Sequence, residues 1–210
     1  MERRRAIKNI GLSFGAMVAT PSVLSLLQGC QAPETPWTPA FFTEGQGKFV
    51  RKMVDVMLPA VGDLPSATEV NVHLFIDKFC KEVISIDDKP VFRRNLSGVI
   101  NELLALSGEE NIAEVDEDEY EKLLTTYLVK SKEEHKEIKQ RVESSASDDL
   151  DNETRVYDFL YNFRDMSVWA YKTNEVVGES ILAYTSVPGE QRGCVDLRET
   201  TGGMAWAMEW

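Results

Sequence analysis

Residues 49–80, FVRKMVDVMLPAVGDLPSATEVNVHLFIDKFC, hold the pattern that decides the fold. Phe49/Val50, Met53/Val54 and Met57/Leu58 recur every three to four residues, the spacing that lines apolar side chains along one face of an α-helix. Pro59 ends that helix, because its ring nitrogen has no hydrogen to donate to a carbonyl one turn back. Beyond it, Ser66 is placed to cap a second helix with Glu69 reaching back to close a capping box. Val72, Phe75, Ile76, Phe79 and Val83 then continue at helical spacing. The stretch predicts two amphipathic helices joined by a proline-marked loop, each needing an apolar partner.

The period persists downstream. Lys89-Pro90 opens a third helix whose Phe92, Leu96, Val99, Leu103 and Leu106 face a core, and Ser107-Gly108 closes it. An acidic run through Asp118 leads to a fourth helix with Tyr120, Leu123, Leu124, Tyr127 and Leu128, for which Asp116 is the expected cap and Glu119 its reciprocal partner. From Lys130 to Arg141 lysine and glutamate alternate around a single Ile138, the mark of an exposed helix held by side-chain pairs three and four apart. Residues 144–152, SSASDDLDN, read as a polar linker, and Asp148, Asp149 and Asp151 lack the ligand alternation, glycine and closing glutamate of a calcium loop. From Thr154 a long stripe of Val156, Phe159, Leu160, Phe163, Met166, Trp169 and Ala170 predicts the central core helix, and a shorter one follows through Val177, Ile181 and Tyr184. No run combines strand alternation with hairpin turn residues. The expected fold is all-α, an irregular bundle of five to seven helices spanning residues 44–184, with a C-terminal loop and extended tail over 185–210.

That tail changes character. Pro188-Gly189 and Gly193 prevent a continuous helix, and Met204, Trp206, Met208 and Trp210 alternate with Ala205, Ala207 and Glu209, so that an extended chain would carry one heavy apolar face. Two readings stand: the face meets a partner, or it lies over a groove in the chain's own helices.

Charge and the N-terminal segment bound the location. Lys and Arg total 23 against 35 acids, a formal charge of −12. Residues 1–30 hold four of the bases and one of the acids, leaving −15 on the remainder. Nucleic acid is excluded as a partner, since phosphate binding needs clustered Lys and Arg. Residues 1–30 form a targeting segment: Arg3-Arg4 followed by Arg5-Ala6-Ile7-Lys8 resembles a twin-arginine export signal, with Ala6 in place of the usual Phe. The apolar run from Ile10 to Leu27 is broken by Gly15 and Pro21, and Leu27-Gln28-Gly29-Cys30 resembles a lipobox, which makes Cys30 a candidate lipidation site and a membrane tether; an ordinary signal peptide is the alternative. Residues 31–43 contain Pro33, Pro36 and Pro39 and read as a spacer, onto whose folded neighbour Trp37, Phe41 and Phe42 can pack. The chain is expected to be exported and held on the periplasmic side of a membrane.

A search for chemistry nominates no catalytic, cofactor-binding or metal-ligating residue. His73 and His135 are the only histidines and lie on different helices; His73, four residues before Asp77, suits a hydrogen bond along its own helix. Haem-attachment, dinucleotide and phosphate-loop motifs are absent from the sequence. Cys80 lies beside the Val72/Ile76 stripe and Cys194 in a Gly-flanked loop, and three states stay open: a Cys80–Cys194 disulfide, a bridge from Cys194 to a partner, and free thiols.

The apolar helix ending in Leu58-Pro59-Ala60, then Asp63, Pro65 and Ala67 before a helix with Phe75-Ile76-Asp77, resembles the gluconate 2-dehydrogenase subunit 3 family. Gly178, Tyr184, Pro188-Gly189 and Gly193-Cys194 match the order of that family's closing segment, although Gln191 stands where an aromatic is usual and a tail follows Cys194. The resemblance implies a non-catalytic small subunit that escorts and stabilises a flavin-bearing dehydrogenase of the glucose-methanol-choline type acting on sugars or sugar acids. FAD would reside in that partner, and a cytochrome c subunit with haem c can follow it. Gly178, Tyr184, Pro188, Gly189, Gly193 and Cys194 become candidate partner contacts, joined by Trp206 and Trp210 from the tail's alternation. The competing reading is a free-standing envelope lipoprotein whose helical bundle binds a ligand or scaffolds an assembly.

Overall fold

A computed structural model describes residues 37–145, 149–185, 189 and 193–207. The chain is all-helical, with eight helices among the described residues: α1 Glu44–Met57, α2 Val72–Glu82, α3 Asp88–Ser107, α4 Glu117–Leu128, α5 Lys132–Ser144, α6 Asn152–Lys172, α7 Glu175–Ser180 and α8 Leu197–Thr201. The eighth, beyond the five to seven expected, is a single turn inside the tail, where Asp196 caps the N–H groups of Arg198 and Glu199 and Gly202 closes the turn at φ 66°. None of the described helices is long and apolar enough to cross a membrane.

α6 is the central helix, packed against α1 to α5 and α7. Its Val156, Leu160, Phe163 and Ala170 are buried together with Phe49, Val50, Met53 and Val54 of α1, Val72, Ile76 and Cys80 of α2, Leu96, Val99 and Leu103 of α3, and Tyr120 and Leu123 of α4. At the sequence end of α3, Gly108 takes φ 75° and donates its N–H to Leu104, ending the helix where Ser107-Gly108 predicts. α5 buries none of its residues, as its charge alternation requires. It is held by a Ser131–Glu134 capping box, by Arg141 against Asp151 at 3.5 Å, and by a hydrogen bond between His135 Nδ1 and the Tyr157 hydroxyl.

Four local readings are corrected. Ser66 and Glu69 do exchange capping bonds, with Ser66 N–H to Glu69 at 2.7 Å, yet α2 begins only at Val72 because Asn71 adopts the left-handed conformation at φ 61° and breaks the run. Asp116 precedes α4 without a side-chain cap bond. Val83 lies outside the core, 63% exposed at the end of α2. Trp169, read as part of the buried stripe, is 48% exposed.

The entry to α1 is fastened by a buried carboxylate. Asp77 of α2 accepts the backbone N–H groups of Ala40 at 2.7 Å, Phe41 at 2.9 Å and Phe42 at 3.2 Å. Arg93 of α3 donates to the Phe41 carbonyl at 2.8 Å and lies over the Phe41 ring, so the end of the proline-rich segment docks on the bundle. Asp77→Ala leaves these donors without an acceptor. The variant is expected to lose about 3 kcal/mol of stability in urea unfolding at unchanged slope, and a loss under about 1 kcal/mol would remove the carboxylate's role.

His73 is buried one helical turn before Asp77. Burial lowers its pKa from the ordinary 6.5, Arg51 lowers it further, and Asp55 and Asp77 oppose them. Folded His73 therefore resists the proton that the unfolded chain accepts. Stability is complete above the ordinary value and falls as pH drops below it toward the folded value, by at most about 1.4 kcal/mol per pH unit for one proton. Between pH 7 and 5, His73→Gln is expected to flatten this decline; an unchanged profile would assign it to other groups.

Candidate functional site

The C-terminal end of α6 builds the platform on which the closing segment rests. The Tyr171 hydroxyl donates to the Pro65 carbonyl at 2.7 Å, and Asn174 donates its amide to the Val70 carbonyl at 2.9 Å while its oxygen caps α7 through Val176 N–H. The loop carrying Asp63, Pro65 and Ala67 is thereby tied to the turn that precedes Gly178. Ala67 itself is fully buried and donates to the Leu58 carbonyl at 3.0 Å.

Gly178 sits where the tail crosses. A β-carbon there would lie 3.2 Å from the Lys172 carbonyl oxygen and 3.8 Å from the Ala207 methyl. Ala183 donates to the Ala205 carbonyl at 2.9 Å and accepts from Ala207 N–H at 3.0 Å, forming one parallel bridge with Trp206. Ala183 and Ala207 face inward and are buried. The heavy side chains turn the other way: Met204 is 48%, Trp206 39% and the neighbouring Tyr184 40% exposed. Val195 and Leu197, in the same segment, are exposed as well.

A second aromatic group lies on the adjoining face. Trp169 stands edge-on to Phe75 at 5.2 Å and to Phe79 at 5.9 Å between ring centroids, joining α6 to α2. Its other side lines a groove of about 770 Å³ that extends to Ala207. Periodicity alone placed Trp169 in the core, because it lies on the margin of the α6 stripe and nothing in the sequence marks which margin a neighbour covers.

The structure brings Gly178, Tyr184 and Trp206 to one region through the Ala183–Trp206 bridge. Gly189, Gly193 and Cys194 are exposed, Cys194 at φ 53°. Pro188 and Trp210 lie outside the described residues, as do Arg3, Arg4 and Cys30. Cys80 and Cys194 are separate thiols in the structure, Cys80 buried and Cys194 exposed. Burial, with Asp77 nearby, pushes the Cys80 thiol up to about 12, which makes it a packing residue and a poor nucleophile. Among the described residues, no cluster of three or more metal-ligating side chains occurs.

The described chain is thus an all-helical bundle whose closing segment carries two exposed aromatic side chains, Tyr184 and Trp206. A family model described as Gluconate 2-dehydrogenase subunit 3 matches residues 44–189, and the chain belongs to that family. The family is that of an accessory subunit of a multi-subunit dehydrogenase. Neither the curated proteins nor the solved structures give a significant match.

Gly178→Val is expected to lift the tail from its platform, at a cost of about 1–3 kcal/mol. Chymotrypsin would then cleave near Trp206 faster than in the parent chain while residues 44–172 stay resistant. Equal cleavage rates would show that close approach at Gly178 does not hold the tail.

Proposed function

We propose that the chain is the small subunit of a flavin-dependent dehydrogenase oxidising sugars or sugar acids, and that it docks on a flavin-bearing partner of the glucose-methanol-choline type. The observation that carries this reading is the closing segment, in which Ala183 and Ala207 are buried while Met204, Trp206 and Tyr184 are exposed. Large apolar side chains held outward on a pinned backbone suit burial in a protein interface, where Trp and Tyr serve as anchors. FAD belongs to the partner in this reading, with haem c in a third, cytochrome subunit. No residue of this chain is assigned to catalysis.

The N-terminal segment completes the proposal. Arg3-Arg4 supplies a twin-arginine signal that exports the folded complex, and lipidation at Cys30 tethers it on the periplasmic side of the membrane. The shared requirement is a partner that folds first and travels with this chain.

The test is purification of the tagged chain from its native membranes in mild detergent, with visible absorption and intact-mass measurement of whatever accompanies it. A stoichiometric larger protein with a flavin spectrum is expected. Met204→Ser with Trp206→Ser should weaken its retention by about 30-fold, the effect of losing one interface anchor of roughly 2–3 kcal/mol. A colourless chain recovered alone would overturn the proposal and favour the free-standing lipoprotein.

A further inference from the structure

Where the start of α6 packs on the middle of α3 lies a groove of about 320 Å³, the size of a small-molecule site. Asn95, Ser97, Gly98 and Asn101 line it from α3, and Asn152 and Arg155 from α6. Arg94 lines it as well, engaged in interactions of its own. No acid is among the lining residues, although the chain holds 35 acids against 23 bases.

Arg155 supplies the charge. It is half-buried and forms no ion pair among the described residues, whereas Arg141 and Arg164 are held by Asp151 and Asp165. The acids at neighbouring positions are occupied elsewhere: Asp151 caps α6 through Thr154, Glu153 faces Lys130 at 3.9 Å, and Asp158 accepts from Asn162. Glu102 of α3 accepts from the Tyr127 hydroxyl and the Asn152 amide. A partly desolvated guanidinium without a counter-ion suits a carboxylate, which it meets with two parallel donors.

The remaining lining suits hydroxyls. The Asn95 side-chain oxygen is buried without a hydrogen-bond donor among the described residues. Ser97 accepts from Gln46 at 3.3 Å and keeps its own hydrogen to donate. A hydroxyl both donates and accepts, so it can satisfy such groups, whereas a bare carboxylate only accepts and leaves the Asn95 oxygen unpaired. Gly98 holds the space open. It sits within α3, where glycine is a poor helix former, and an added β-carbon would meet no atom within 4 Å. Neither the helical backbone nor packing requires glycine there, while an open groove does.

We propose that this groove binds a small polyhydroxylated carboxylate, with its carboxylate on Arg155 and its hydroxyls on Asn95, Ser97 and Asn101. Arg155 lies near the start of α6 and the tail is pinned beyond its end, about 25 Å along the helix, so the ligand and a protein docked on the tail do not compete. The inference rests on the groove alone and needs no flavin partner.

The test follows the reaction of phenylglyoxal with the arginines of the full chain in mild detergent, read residue by residue by peptide mass spectrometry. The readout is the same whether or not another protein accompanies the chain. At about 10 mM, sodium gluconate is expected to slow the modification of Arg155 about sixfold, as a site of roughly 2 mM affinity would, with Arg141 and Arg164 unaffected. Sodium acetate and sodium phosphate, which lack the hydroxylated chain, and sorbitol, which lacks the carboxylate, should each protect by less than about twofold. Gly98→Leu, which fills the groove at a position with room for a side chain, should abolish the protection at unchanged thermal unfolding. No protection of the parent chain by gluconate would overturn the proposal. Equal protection by acetate and phosphate would overturn it in favour of an unspecific anion site, and undiminished protection in folded Gly98→Leu would place the ligand outside this groove.

Discussion

The bundle depends on one buried anion. Asp77 gives up water in the core and is compensated by three consecutive backbone donors, those of Ala40, Phe41 and Phe42. Charge-assisted bonds of this kind offset the desolvation that makes an unpaired buried carboxylate so costly. The geometric result reaches beyond the bond itself. Phe41 and Phe42 are held against Phe92 of α3, and Phe92 stands edge-on to Phe159 of α6 at 5.1 Å, so one carboxylate on α2 sets the approach to α1 and aligns α3 with the central helix.

The far end of α6 is fixed by different means to the same loop system. Tyr171 and Asn174 take the carbonyls of Pro65 and Val70, on either side of Ala67. Asn71 in its left-handed conformation turns the chain from that loop into α2. Segments more than a hundred residues apart in sequence therefore meet at one end of the bundle. That meeting explains in physical terms why the Asp63–Ala67 turn and the closing segment at Gly178 belong to one pattern: the first supplies the carbonyls that set the position of the second.

Much of this is legible in the sequence. The stripes of α1 and α3, and that of α6 apart from Trp169, follow from three- and four-residue spacing, which reports directly which side chains share a face. Ser107-Gly108 marked a terminus because glycine tolerates the backbone that ends a helix. What escaped notice depended on tertiary context or on a signal passed over. Asn71 breaks the run after a correctly read Ser66–Glu69 box, which a cap pattern alone does not reveal. Trp169 shares the helical period of the core yet is covered on one side only, by Phe75 and Phe79 of α2. The turn at Leu197–Thr201 is marked by Asp196, Glu199 and the glycines 202 and 203, but lies within residues 185–210, which read as a loop and tail. The His135–Tyr157 contact that holds α5 joins residues with no periodic relation.

The tail is held at one point, where Ala183 bonds the backbone of Ala205 and Ala207. Sliding the bridge by one residue would exchange the two faces of the extended chain, turning Trp206 inward and alanine outward. The change would gain the roughly 1.5–3 kcal/mol that full burial of a large apolar side chain provides, so area alone favours it. Small residues stand at this crossing: a methyl at Gly178 would lie 3.2 Å from the Lys172 carbonyl oxygen and 3.8 Å from the Ala207 methyl. The close approach of Gly178 and Ala207 and two backbone hydrogen bonds to Ala183 accompany the register that leaves Met204 and Trp206 exposed. A fold that accepts this arrangement keeps an apolar ridge on its surface by construction, and the ridge is available to whatever protein the chain assembles with.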